Sequence, residues 1–365
     1  MTNDVGQLLL VGLPGTKLDV ATAAMLRRVQ PGGFILFGRN LESAEQLRRL
    51  TDDLRDLSDV EPIITIDQEG GRVSRLRLIG EEPPNAQQLR DRGNPDLVRQ
   101  HGDITARLLR LLGFNLDLCP VLDISFDDEA ENSLRGRCYG KNAEQVTALA
   151  GKFNDALRAG GILSCGKHFP GYTMAAEDPH HSFPIITRQR AEMEANELLV
   201  FRHFASRVDS MMIGHIHYAC LDGEERPASL SPVIIKDLLR GEMGFRGLVM
   251  TDDLDMGAIL NTTTFEEMLA RGLAAGNDLL MICHRVEMLE QARTVLQRQP
   301  RLLSEPALER VASFKAKMEP PREFSREAFD AVNREIWNLR VATLGEKGAH
   351  QKSVENGKRS PVELY

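Results

Sequence analysis

The chain has 365 residues, 45 lysines and arginines against 53 aspartates and glutamates, and a formal charge of −8; 42% of residues are hydrophobic and 5% aromatic. Such a chain fits one large barrel or two ordinary domains, and excludes a small stapled scaffold or a globally disordered polymer. The acidic balance argues against a nucleic-acid partner, whose footprint would be basic, and the lack of any run of about 18 apolar residues argues against a membrane span.

Met1-Thr2-Asn3-Asp4 carries no basic n-region, and the apolar stretch Leu8 to Leu13 is short. No secretory signal is expected, and a cytoplasmic protein is. The five cysteines (Cys119, Cys138, Cys165, Cys220, Cys283) are odd in number and form no CxxC, which reads as scattered reduced thiols.

Short apolar runs recur along the chain at Leu8–Gly12, Gly33–Phe37, Ile63–Ile66, Phe114–Leu118, Ile162–Cys165, Ser210–Ile213, Leu248–Thr251 and Leu279–Ile282. They are too apolar for half-exposed strands and read as eight buried parallel strands. Helical patterns lie between most of them. Ser43 to Leu57 sets Leu47, Leu50, Leu54 and Leu57 on one face, with Ser43 and Gln46 at capping-box spacing. Ala143 to Arg158 carries an apolar stripe ending at Gly160-Gly161. Ser231-Pro232 begins a further helix, and Thr264 with Glu267 repeats the capping spacing. Strand and helix in alternation predict an α/β fold. The expectation is a single-domain TIM-type (β/α)8 barrel, with room for one irregular or missing element; a doubly wound sheet is the alternative. Residues 1–344 are assigned to the barrel and 345–365 to a polar C-terminal tail.

In such a barrel the active site lies at the C-terminal ends of the strands, so the residues after each run matter most. After the third run comes Asp67-Gln68-Glu69-Gly70-Gly71-Arg72, then Arg75. The fourth is followed by Arg135-Gly136-Arg137-Cys138-Tyr139-Gly140. The fifth leads into Gly166-Lys167-His168-Phe169-Pro170-Gly171 and then Asp178-Pro179-His180-His181. The sixth precedes Gly214-His215-Ile216-His217, and the seventh Asp252-Asp253. Carboxylates, cations and imidazoles converging on one pocket suit a polyol: charged groups clamp hydroxyls directionally, and a carboxylate can attack an anomeric carbon. No GxxxxGK[ST] occurs and no GxGxxG follows a strand, so no nucleotide cofactor, and no other cofactor, is expected.

Three segments in order carry a family resemblance: Ile66 to Val73, Lys167 to Gly171, and Gly247 to Asp252. Together they resemble glycoside hydrolase family 3, and within it the bacterial β-N-acetylhexosaminidases of the NagZ type. The likeness runs from about Leu8 to Ile282. It implies a TIM-type barrel, and retaining hydrolysis of terminal β-linked N-acetylglucosamine from cell-wall fragments handled in peptidoglycan recycling. The partner is then a small N-acetylglucosamine-terminated carbohydrate, with oligomeric state left open. Asp252 matches the family nucleophile; the competing reading is a barrel-end aspartate capping the next helix. Asp178 and His180 match the acid/base dyad, and an imidazole titrates near neutral pH, where proton transfer works best. Asp67, Arg137, Lys167 and His168 match the sugar-gripping positions, and Arg75 joins them; a rim salt bridge is the competing role for the arginines.

The chain departs from the family at Tyr172-Thr173-Met174-Ala175, where His-Gly-Asp-Thr is usual, and at Pro179, which replaces a serine. Glu69 is assigned a structural role at the Gly70-Gly71 turn, and Cys138 is the cysteine placed near the site. His215-x-His217 has metal-ligand spacing, but no metal is expected there. A β-glucosidase or glycoside phosphorylase on the same barrel is the nearest alternative. A metal-dependent hydrolase using His215, His217 and His180, or a non-catalytic sugar-binding barrel, comes from another class.

Overall fold

The computed structural model describes residues 4–130, 132–172, 185–256 and 263–353. Its centre is one sheet of eight parallel strands: β1 (Leu9–Val11), β2 (Gly33–Leu36), β3 (Ile63–Ile66), β4 (Leu116–Asp117), β5 (Leu163–Phe169), β6 (Ser210–Ile213), β7 (Leu248–Thr251) and β8 (Leu280–Ile282). Neighbours pair in sequence order, and β1 pairs β8 with Leu9 beside Leu280. β7 and β8 close the ring. The Thr251 amide donates to the Leu279 carbonyl at 3.1 Å, and the Leu279 amide to the Val249 carbonyl at 3.1 Å. Every strand residue is buried except the half-buried Leu163. That double-sided burial is why the strands appear in the sequence as unbroken apolar runs. The expected (β/α)8 barrel is present, with all eight strands in place.

Helices Val20–Val29, Ala44–Leu57, Pro95–Leu111, Ala143–Ala159, Glu197–Phe204, Phe265–Ala275 and Leu289–Gln297 follow β1, β2, β3, β4, β5, β7 and β8. The segment after β6, Val233–Glu242, is a π-helix. The Ser43 hydroxyl accepts from the Gln46 amide at 3.1 Å. The return bond shifts one residue outward: the Gln46 side-chain carbonyl accepts from the Glu42 amide at 2.8 Å. Ser231 and Thr264 cap their helices as expected, accepting from the amides of Ile234 at 3.1 Å and Glu267 at 3.2 Å.

A last helix, Arg326–Ala349, breaks at Gly345, whose φ of 73° is left-handed. It lies against the barrel through Arg107, which makes two hydrogen bonds to Glu335 at 2.7 and 2.6 Å. The segment assigned to the tail begins inside this helix, and its first part is tied down. Arg340 pairs with Glu82 at 3.1 Å and donates to the carbonyl of Ala349 at 2.7 Å. The Ser353 amide and hydroxyl donate to Glu82 at 3.1 and 2.8 Å. Residues 354–365 lie outside the described residues.

Both Glu82 and Arg340 are almost fully buried. Removing one member of such a pair strands a buried charge, at a cost of about 3–5 kcal/mol. Glu82→Ala is therefore expected to lower the urea midpoint by a corresponding amount and to open the 346–353 segment to protease. An unchanged midpoint with intact resistance to proteolysis would contradict this account of the C-terminal clasp.

Candidate active site

The C-terminal end of the barrel collects the charges. After β3 the chain turns at once, pairing Gln68–Gly70 antiparallel with Val73–Ser74. The turn needs glycine: Gly70 has φ 111°, and a Cβ there would stand 2.3 Å from the Pro84 carbonyl oxygen. The fold of this turn puts Asp67 at the cavity wall and buries Glu69 below it.

Glu69 is only 4% exposed. Its carboxylate accepts two hydrogen bonds from Arg137, both 2.7 Å, and faces the Lys167 ammonium at 2.6 Å. Burial works against its ionised form, but the Arg137 and Lys167 charges prevail and hold the carboxyl far below the usual range. Burial likewise opposes the Lys167 charge, and Asp67 and Glu69 overcome it, so the ammonium is held charged. Lys167 also donates to Asp67 at 2.6 Å, and Asp67 pairs with Arg75 at 3.6 Å. The result is an alternating network of two carboxylates and three cations spanning β3, β5 and the loop after β4. Glu69 thus does more than support a turn: it is the fixed anion around which two of the expected sugar-gripping cations are set.

Asp123 is a second buried anchor that the motif reading missed. It lies beyond β4 and is fully buried. The His168 Nδ1 lies 2.7 Å from it, and the amides of His168 and Tyr172 donate to it at 3.2 and 2.7 Å. On its other side the His168 Nε2 faces Arg137 at 3.5 Å. A guanidinium can only donate, so Nε2 is the acceptor and Nδ1 carries the proton toward Asp123. The available signal was a carboxylate following the apolar Val121-Leu122 just past the fourth strand.

Asp252 follows β7, its amide donating to the Ile213 carbonyl at 2.9 Å. Its Oδ1 accepts from the Asp253 amide at 2.8 Å, and its Oδ2 from the Tyr172 hydroxyl at 2.9 Å. The Asp253 side chain also borders the cavity and accepts from the amides of Asp255 at 3.0 Å and Cys283 at 3.2 Å. Asp67, Arg75, Arg137, Lys167, His168 and Asp252 all line one cavity of about 610 Å³, open space at its mouth included. Asp178 and His180 lie outside the described residues, as do Pro179, His181 and Thr173 to Ala175.

The two histidines of His215-x-His217 do not act together. His215 has Ser229 Oγ 2.8 Å from Nδ1 and the Asp253 carbonyl 2.9 Å from Nε2, and His217 has the Arg226 carbonyl 3.2 Å from Nδ1. Among the described residues no group of three or more His, Cys, Asp or Glu is arranged to hold a metal ion. The cysteine nearest the site also differs from expectation. Cys283, at the end of β8, lines the cavity, whereas Cys138 is buried with its thiol 3.9 Å from the Leu134 carbonyl. Adjacency to Arg137 in sequence was the wrong guide, because barrel closure brings β8 to the pocket.

The family model described as the glycosyl hydrolase family 3 N-terminal domain matches residues 1–313. The chain belongs to glycoside hydrolase family 3. Among its family 3 relatives is a protein from Chromobacterium violaceum named β-hexosaminidase, 33% identical over 316 residues, covering 83% of this chain and 86% of the relative. The family 3 β-N-acetylglucosaminidase structure from a Paenibacillus species superposes with a TM-score of 0.84 at 29% identity, covering 94% of this chain and 69% of the other. The structure of NagZ from Neisseria gonorrhoeae in complex with N-trifluoroacetyl-D-glucosamine has a TM-score of 0.79 at 28% identity, covering 95% and 98%.

A depressed carboxyl stabilises the fold above its unfolded-state pKa of about 4.3, and that contribution is lost as pH falls through and below this value, because the unfolded chain takes up the proton first. Glu69→Gln removes this proton linkage. We expect its stability in urea to fall more shallowly than wild type below about pH 4.5, on top of a loss of about 3–5 kcal/mol at pH 7 for two under-compensated cations. An acid limb identical to wild type would show that Glu69 is not held ionised.

Proposed function

We propose that this family 3 enzyme is a retaining β-N-acetylhexosaminidase, cleaving terminal β-linked N-acetylglucosamine from short soluble glycans, with peptidoglycan fragments in the cytoplasm as the natural substrates. The observation that carries the reading is the position of Asp252. It stands at a strand end, in a cavity also lined by Asp67, Lys167 and Arg137, which Glu69 braces from behind the surface. Two further findings support the sugar: the C. violaceum relative is named a β-hexosaminidase, and the N. gonorrhoeae neighbour holds an N-acylated glucosamine.

The chemistry follows from the donors and acceptors. Lys167 and Arg137 present N–H groups, while the His168 Nε2 and the Asp67 carboxylate accept, a mixed set suited to ring hydroxyls that both donate and accept. Each is braced by an ionic partner, so substrate meets groups already oriented and little ordering remains to be done on binding. Asp252 attacks the anomeric carbon as the glycosidic C–O bond breaks, giving a glycosyl ester. His180, charged and oriented by Asp178, protonates the leaving oxygen and then takes a proton from water as that water displaces Asp252. A cavity of this size suits one terminal sugar rather than a long polymer.

Turnover of aryl β-N-acetylglucosaminide and aryl β-glucoside tests the reading. Wild type should prefer the first, and Asp252→Ala should abolish it. His180→Ala should slow a natural disaccharide by roughly 10²- to 10⁴-fold, the usual worth of a general acid, and an activated aryl substrate much less. Wild-type turnover in Asp252→Ala would overturn the assignment.

A further inference from the structure

Tyr172 stands where the family usually has histidine, and its surroundings give it a task. Its ring lies flat on the His168 imidazole, with centroids 4.4 Å apart and planes within 5°. Its amide is held by Asp123 at 2.7 Å. On its other face Gly214 makes room: a Cβ there would lie 2.4 Å from the ring. The phenol is thus fixed on three sides, 5% exposed, with its oxygen 2.9 Å from Asp252 Oδ2. The His215 amide also donates toward that oxygen, at 3.4 Å. With an N–H pointing at the phenol oxygen, the hydroxyl proton is left to Asp252.

We propose that Tyr172 is a positioning residue for Asp252 that speeds the second half of the reaction, release of the sugar from the glycosyl-aspartate. This rests on the reading of Asp252 as nucleophile. In that step a water oxygen bonds to the anomeric carbon and gives its proton to His180. The bond from the anomeric carbon to the Asp252 oxygen breaks, and its electron pair returns to the carboxylate. Negative charge therefore grows on Asp252, and a phenol donor bonds a carboxylate more strongly than an ester. In the first half the same bond is weakened, because the carboxylate spends its charge on the sugar. Burial first, and the Asp252 charge second, push the phenol's pKa well up, so it keeps its proton to donate.

Tyr172→Phe keeps the ring and removes the hydroxyl, which is the donor to Asp252 and a long-range acceptor for the His215 amide. With an activated aryl N-acetylglucosaminide, kcat should fall by roughly 10- to 100-fold, the range for a hydrogen bond to a charged group. KM should fall with it, leaving kcat/KM within about threefold, because the glycosyl-enzyme accumulates. Rapid mixing should show a burst of aryl release close to one per enzyme, and methanol as a competing acceptor should raise kcat. A variant that merely distorted the pocket would raise KM without a burst. Gly214→Ala, which displaces the ring without removing the hydroxyl, should also lower kcat. Unchanged kcat and KM in Tyr172→Phe, or a fall in kcat/KM equal to that in kcat without a burst, would overturn the proposal. Failure of Asp252 as nucleophile would show separately, as turnover surviving in Asp252→Ala.

Discussion

One buried carboxylate organises this end of the barrel. Glu69 is shared by Arg137 from the loop after β4 and Lys167 from β5, with contacts of 2.6 to 2.7 Å. Ion pairs of this kind add little net stability, since desolvation consumes most of the Coulombic gain. Their effect here is on geometry. Lys167 is 1% exposed and Arg137 6%, so neither side chain has freedom to relax when a ligand arrives or leaves. Lys167 then fixes Asp67, and Asp67 meets Arg75. A single anion on a glycine-built turn therefore sets the orientation of four groups that face the cavity.

A parallel arrangement holds the other wall. Asp123 fixes the His168 ring and the Tyr172 backbone, and Tyr172 reaches Asp252. The two walls meet where Arg137 approaches His168. Pocket preorganisation thus comes from residues with no place in the reaction itself, Glu69 and Asp123. Barrel closure adds the last part: the Asp253 carboxylate accepts from the Cys283 amide, tying the segment after β7 to the one after β8 and steadying the backbone that carries Asp252.

Much of this was readable in the chain. The eight runs matched the eight strands because a parallel strand covered on both faces must be apolar throughout, and Ile63–Ile66, Ser210–Ile213 and Leu248–Thr251 coincide with β3, β6 and β7. Placing chemistry at the run ends picked out Asp67, Lys167, His168 and Asp252, which line one cavity. What escaped was partnership at long range. Glu69 reads locally as a turn residue, and nothing near it announces Arg137, 68 positions away. Asp123 sits in no motif. Cys283 reaches the pocket only through ring closure. Glu82 and Arg340, 258 positions apart, clasp a segment whose composition reads as a solvated tail. In each case the determining contact is tertiary, and periodicity carries no information about it.

In the proposed reaction Asp252 forms a covalent bond to N-acetylglucosamine. Incubation with a 5-fluoro N-acetylglucosaminyl donor, followed by proteolysis and mass spectrometry, tests it most directly. The expected result is a mass increase of one fluorinated sugar on the peptide containing Asp252, absent in Asp252→Ala. Label on a different residue, or turnover of the natural sugar with no trapped adduct at all, would contradict it.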